Sequence, residues 1–323
     1  LIDRPKNWPN YRPQIIILEK FRLFSCNYSV IIKAREPAKM SSIIHKISPL
    51  IPEDRLLGKL HEKAGELVQK ATSLLSQNAI TDSLRPLLRS MNSYYTNRIE
   101  GQHTRPSDIE RALHQTTDQD NEIARKQRLA ISHLKAEAGL ESMFDNRPFN
   151  DLYSFDTVSE IHRCLFSALP EQDRTGEDKV VIQPGIIRNK PVAVGRHLPP
   201  AKSIEAYIDA WAKGYQSLPT GEKALIGAAA SHHRLAWIHP FIDGNGRTAR
   251  LHSHLLLHRM KLTGGLWSIM RGMARHQSDY YRYLNDADLS RRNDLDGRGE
   301  LSQEGLIQFI DFFFTICMIR LIS

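Results

Sequence analysis

His239-Pro-Phe-Ile-Asp243-Gly-Asn-Gly-Arg247-Thr-Ala-Arg250 joins two helical runs, and its reading settles what kind of fold carries it. Upstream, Ala228, Leu235, Trp237 and Ile238 belong to an apolar helix that Pro240 must end, because proline lacks the N–H that would continue it. Gly244 and Gly246 flank Asn245, which permits a tight turn and close approach of the backbone to a ligand. A second helix starts at once, so its unpaired N–H groups face the same loop and form a natural anion site. Arg247 and Arg250 share a face of its first turns and run against the helix dipole unless an anion meets them. Asp243 is placed to hold Mg²⁺, or Mn²⁺ in its stead, between phosphate oxygens. His239 lies four residues upstream, within reach as a general base. Gly-Asn-Gly alone is most often a turn, but the whole constellation supplies what phosphoryl chemistry requires.

Working outward, helical spacing dominates from about residue 53: Leu56, Leu57, Leu60, Ala64, Leu67, Val68, Ala71 and Leu75 repeat every three or four positions. Thr81 is expected to cap a helix running to Glu100, with Gly101 as its stop. Ser107-Asp108-Ile109-Glu110 reads as a capping box, and a further helix covers roughly 121–143. Thr157 is expected to cap the next helix. Later helices fall at about 203–217, 220–238, 245–262, 278–290 and 303–320. The β signal is confined to Val180-Val181-Ile182, Pro184-Gly185 and Pro191-Val192-Ala193-Val194-Gly195, a short hairpin or flap. The expected fold is therefore all-α with one small β-hairpin. It divides into a leader (1–39), an N-terminal helical region (40–145), a catalytic domain (146–300) and a C-terminal apolar helix (301–323).

The net charge of +8 is concentrated in the leader, whose 39 residues carry eight Lys/Arg and three acids, so a nucleic-acid surface is weakly supported. The leader contains no Met, and Met40 reads as a natural start, with 1–39 non-native or disordered. Cys26, Cys164 and Cys317 are scattered without a CxxC pair, which fits a reducing compartment and a cytoplasmic location. The apolar stretch 305–323 is interrupted by Asp311 and Arg320 and reads as a buried helix rather than a membrane span.

At every defined position, 239–250 matches HxFx[D/E]GNGRxxR, and the chain here resembles the Fic family of protein adenylyltransferases over roughly 150–290. The resemblance implies a mainly helical fold in which His239 deprotonates a Ser, Thr or Tyr hydroxyl of a target protein. That oxygen then attacks the α-phosphate of ATP, and pyrophosphate leaves with Mg²⁺. It further implies that Asp243 binds the metal and that Gly244, Asn245, Gly246, Arg247 and Thr248 hold the α- and β-phosphates. Arg250 would take the γ-phosphate, and Val192, Ala193, Val194 and Gly195 would form the flap that docks the target segment. Tyr281 would lie near the adenine. Thr96-Asn-Arg-Ile-Glu100-Gly101 fits the family's inhibitory pattern [S/T]xxxE[G/N], in which Glu100 pairs with Arg250 and blocks the γ-phosphate position.

The resemblance carries a second implication: a glutamate at this place also directs water to remove AMP in some relatives, so de-AMPylation is an alternative. A regulatory or DNA-binding protein with a vestigial core is another, although no recognition helix follows residue 300. Partners implied are ATP and a protein hydroxyl, the chain's own included, with homodimerisation left open and no membrane. Two lesser features are set aside. His252, His254 and His258, like His232-His233, read as packing or surface, with no carboxylate or cysteine accompanying them. Asp294-Leu-Asp296-Gly297 echoes a calcium loop but lacks its first and twelfth ligands. Tyr280, beside Tyr281 at the start of a helix after the motif, stays open between the adenine and the core.

Overall fold

The apolar spacing is realised as helices in the computed structural model, which describes residues 37–77, 84–114, 121–175, 180–194 and 202–322. In chain order they are α1 (Pro37–Ile47), α2 (Gly58–Gln77), α3 (Leu84–Ile99), α4 (Pro106–His114), α5 (Asn121–Phe144) and α6 (Phe155–Phe166). There follow α7 (Ile204–Gln216), α8 (Glu222–Ile238), α9 (Asn245–Arg259), α10 (Ile269–Arg275), α11 (Gln277–Ala287) and α12 (Gln303–Ile322). The expected cap Thr81, the flap residue Gly195, Cys26 and nearly all of the leader lie outside the described residues.

At the centre are α8 and α9, the two helices joined by the quoted loop. Both are buried almost all round, as expected of helices without a polar face. Small residues on α8 let its neighbours close in: a Cβ on Gly227 would stand 2.2 Å from Leu218 Cδ1. Around this pair pack α2, α5, α6, α7 and α12. The apolar C-terminal stretch is one of these walls, with Leu306, Phe309, Ile310, Phe313, Phe314 and Cys317 buried on α12. No helix among the described residues is long and apolar enough to cross a membrane.

Several local expectations change. Ser154, not Thr157, caps α6: its hydroxyl accepts from the Thr157 backbone N–H. Ser107 lies inside α4, because Pro106 takes the first helical position, where a missing N–H is harmless. The short helix α10 went unpredicted, since Gly272 sits in its middle and weakens the helical signal; Ser268 caps it. The expected hairpin does not form as a strand pair among the described residues: Thr175 and Val181 make a single antiparallel bridge. Arg188 instead directs its backbone N–H and its guanidinium at the loop after α8, as described next.

Candidate active site

α8 hands over to the loop at His239, its C-cap, in the left-handed region (φ 51°, ψ 62°). Such a conformation costs a non-glycine residue roughly 1 kcal/mol, so something must hold it. Arg188 does. Its backbone N–H donates to the Pro240 carbonyl (3.0 Å), its Nε to the His239 carbonyl (2.7 Å) and its Nη1 to the Lys190 carbonyl (2.8 Å). A buried guanidinium thus meets the negative end of α8 and ties the would-be flap to the loop after it. His239 itself is half-buried, with Nδ1 3.4 Å from the Ala236 carbonyl. A carbonyl only accepts, so this contact selects the tautomer with its proton on Nδ1 and the lone pair on Nε2.

The loop is closed from within. The Asn245 carboxamide accepts from the Phe241 N–H (2.8 Å) and donates to the Phe241 carbonyl (2.8 Å). Its side chain is therefore a strut of the loop, and what it turns toward an anion is the N–H at the start of α9. Gly244 precedes α9 with φ 81°, and a Cβ there would lie 2.5 Å from the Phe166 ring. Beneath it, His162 accepts from the Gly185 N–H at Nδ1 (2.8 Å), so its Nε2 donates to the Asp243 carbonyl (3.1 Å). Its ring stacks on Phe241 at 3.8 Å. Burial pushes His162 down to about 3, which keeps it neutral in this relay. Neither His162 nor Arg188 stands out along the chain, because each acts across more than fifty residues, on elements that look unrelated.

Asp243 is half-buried, its carboxylate accepting from the Gly244 N–H and lying 3.7 Å from Arg247 Nη2. The Arg247 guanidinium covers the Phe166 ring at 4.8 Å, and its Nε is buried without a hydrogen bond. The Thr248 hydroxyl is likewise buried and unpartnered. These orphaned groups beside a helix N-terminus fit the anion that the residue pattern called for.

The helix start is met by α3. That helix ends in a Schellman turn: Gly101 (φ 73°) donates to Arg98 O (3.0 Å) and Gln102 to Asn97 O (2.8 Å). Glu100 is thereby placed at a helix C-terminus, where a carboxylate opposes the dipole and needs a cation. Arg250, 1% exposed, supplies it: Nη2 donates to Glu100 Oε1 at 2.5 Å. The same guanidinium donates from Nε to the Thr96 hydroxyl (2.8 Å) and from Nη2 to the Thr96 carbonyl (3.2 Å). Burial alone would raise Glu100, but Arg250 and Arg247 outweigh it and hold the carboxyl below its ordinary value. Gly246 makes the approach feasible, since a Cβ there would stand 2.5 Å from Glu100 Oε1. Tyr281 is at the same place, its hydroxyl donating to the Ile99 carbonyl.

Structure thus brings together His239, Asp243, Gly244, Asn245, Gly246, Arg247, Thr248 and Arg250 in one loop and helix start, with Thr96, Glu100 and Gly101 against them. Val192, Ala193 and Val194 lie in the segment that Arg188 anchors, outside any named strand. One expectation is overturned. His254 and His258 do have carboxylates for company, because Glu137 and Glu141 line the facing side of α5 and Asp145 directly follows its end (His254 Nε2 to Glu141 Oε1, 2.8 Å; His258 Nε2 to Asp145 Oδ1, 2.9 Å). Two ladders of fourth-residue spacing, on helices distant in sequence, were the missed signal.

Comparison with known proteins agrees with this geometry. Residues 152–257 match the Fic/DOC family model. A protein adenylyltransferase Fic of Nematostella vectensis is 30% identical over 263 residues, covering 79% of this chain and 55% of its own length. The Aedes aegypti protein of the same name is 30% identical over 145 residues, 43% of this chain and 26% of that one. The chain therefore spans about half the length, or less, of these curated relatives. Among solved structures, a Fic family protein from Desulfovibrio desulfuricans G20 superposes with a TM-score of 0.61 at 17% identity (80% of this chain, 73% of that one). A Fic domain containing signaling protein from Bacteroides thetaiotaomicron VPI-5482 gives 0.60 at 18% identity (80% and 94%). At such identities these likenesses speak for the fold.

Proposed function

We propose that this chain, whose residues 152–257 match the Fic/DOC family model, is a protein adenylyltransferase whose site is held off by Glu100. Three features suit ATP with its divalent metal: the N-terminus of α9, the two arginines on its first turns, and the buried, unpartnered Arg247 Nε and Thr248 hydroxyl. Asp243 would hold Mg²⁺, which supplies charge neutralisation for the departing pyrophosphate.

The lone pair on His239 Nε2 takes the proton of an incoming Ser, Thr or Tyr hydroxyl. The new bond forms from that oxygen to the α-phosphorus, and the bond from the α-phosphorus to the bridging oxygen breaks. Arg247 and the α9 N–H groups stabilise the charge that develops on the phosphate oxygens. Arg250 is the remaining cation for the terminal phosphate. In this structure it is engaged by Glu100 at 2.5 Å and by Thr96, and this contact carries the reading of an autoinhibited enzyme. The name borne by the relatives supports the transfer of an adenylyl group.

A second reading rests on the same carboxylate. Glu100 is kept ionised beside His239, so it can also orient water to release AMP from a modified hydroxyl.

Auto-labelling with ATP carrying label at the α- or the γ-phosphate tests the proposal. Wild type should label weakly from the α-position, Glu100→Gly strongly, and Glu100→Gly/His239→Ala not at all. Label arriving only from the γ-phosphate overturns AMP transfer, and equal labelling by wild type and Glu100→Gly overturns the brake.

A further inference from the structure

Behind the active site, α3, α5 and α9 meet over a polar cluster that the proposed reaction does not use. Glu137 and Glu141 come from α5 and His254 from α9, one turn beyond Arg250. Each offers one ligand atom, and the three atoms lie within 4.8 Å of one another. His254 Nε2 is 2.8 Å from Glu141 Oε1 and 3.6 Å from Glu137 Oε1. Each carboxylate is also gripped from outside by α3: Arg89 Nη2 donates to Glu141 Oε2 (2.5 Å) and Asn92 Nδ2 to Glu137 Oε1 (2.8 Å). Outer donors that orient carboxylates toward an imidazole are the usual support of a metal centre.

An independent observation points the same way. His133, 1% exposed, makes no hydrogen bond with either ring nitrogen, and its Nδ1 is 3.9 Å from Glu137 Oε2. That oxygen and His254 Nδ1 are also buried without a hydrogen bond. Orphaned buried polar atoms are uncommon and usually mark a missing water or ion. Of these, His133 Nδ1 and Glu137 Oε2 face each other at the edge of the cluster. Atoms 3–4 Å apart are what a cation with bonds of about 2.0–2.2 Å can bridge.

We propose that Glu137, Glu141 and His254 bind one Zn²⁺, with the unpartnered His133 beside Glu137, at a structural site distinct from the Asp243 loop. Imidazole with few oxygens disfavours Mg²⁺ and Ca²⁺, which take larger sets of oxygen ligands. The ion would displace the proton shared by His254 Nε2 and Glu141, so uptake is coupled to proton release. It would also join α5 to α9, the helix that bears Arg250, with α3 gripping its carboxylates from outside. The proposal does not depend on the transferase reading.

Calorimetric titration of the chelator-treated full chain with ZnSO₄ tests it, in an Asp243→Ala background that removes the loop's own cation ligand. One equivalent is expected, together with one anomalous peak at the zinc edge between Glu137, Glu141 and His254 in crystals of the unaltered chain. Glu137→Gln should lose that equivalent, and Asn92→Ala should weaken it roughly ten- to hundredfold. Absence of binding, a peak at His258 and Asp145 instead, or full affinity in Glu137→Gln would overturn the proposal. The anomalous map needs no variant, so misfolding of Glu137→Gln leaves the question decidable.

Discussion

The hydroxyl of Tyr281 donates to the carbonyl of Ile99 at 3.1 Å, and Gln277 Nε2, one turn back on α11, donates to the same oxygen at 3.1 Å. Both grip the residue immediately before Glu100. The part of α11 in which the family resemblance places a base-binding tyrosine therefore also holds the end of α3.

Removing the Gln277 grip should loosen the brake without touching the reacting groups. A hydrogen bond of this kind contributes about 1 kcal/mol, so Gln277→Ala is expected to raise auto-labelling about fivefold. Initial rates from α-labelled ATP, compared with wild type and Glu100→Gly, check this. No change would show that α11 does not restrain α3.

Asn245→Ala removes both bonds to Phe241 that close the loop. In a Glu100→Gly background the labelling rate should fall by at least tenfold, while the melting temperature drops by only a few degrees, since the rest of α9 stays buried. A rate that survived would mean that the loop keeps its shape without the carboxamide strut.

Arg188 satisfies carbonyls at the end of α8 and in its own segment from a buried position. Charge-assisted bonds of this kind contribute about 1.5–3 kcal/mol each when broken. Arg188→Ala should therefore destabilise the fold by roughly 2–3 kcal/mol, measured by urea unfolding, and abolish labelling. Arg188→Lys should recover only part, because a single ammonium cannot reproduce the guanidinium fork.

The Glu100 contact has a defined pH window. Its carboxyl is held below the ordinary value of 4.5 in the folded chain, so the contact is complete above that value and weakens only as pH falls through the depressed one. The ratio of Glu100→Gly to wild-type labelling should therefore stay constant from pH 6 to 8.5. A ratio that changed steadily across that range would mean that another group controls the brake.

The candidate loop could be picked out in the sequence because its residues are contiguous: His239, Asp243, the two glycines and both arginines fall within twelve positions. Glu100 was legible for a similar reason, as part of a short pattern ending in Gly101. The fold class followed from the spacing of apolar residues, and helix positions came close wherever the run was long, as in α5, α8 and α12. What escaped notice depends on pairing across distance. His162 reaches Asp243, Arg188 reaches the end of α8, and α5 presents a row of carboxylates to the histidines of α9. Nothing local marks such partners. Caps were misplaced by a few residues because Ser154 and Thr157, or Pro106 and Ser107, are chemically near-equivalent starts, and packing chooses between them. The flap segment carries strand-like residues, yet Arg188 engages its backbone with the loop after α8 instead.

Arg250 is a permanently charged group, 1% exposed, and Glu100 is its counter-ion. A buried guanidinium left alone is strongly destabilising, by about 3–5 kcal/mol when one partner of a buried pair is removed. Releasing the brake therefore exchanges one anion for another, and the terminal phosphate of the nucleotide is the natural successor. The de-inhibited enzyme should be the less stable one when empty and the one that gains more from ligand. In the proposed mechanism Glu100 is then a stand-in for substrate that lets the chain fold before substrate arrives.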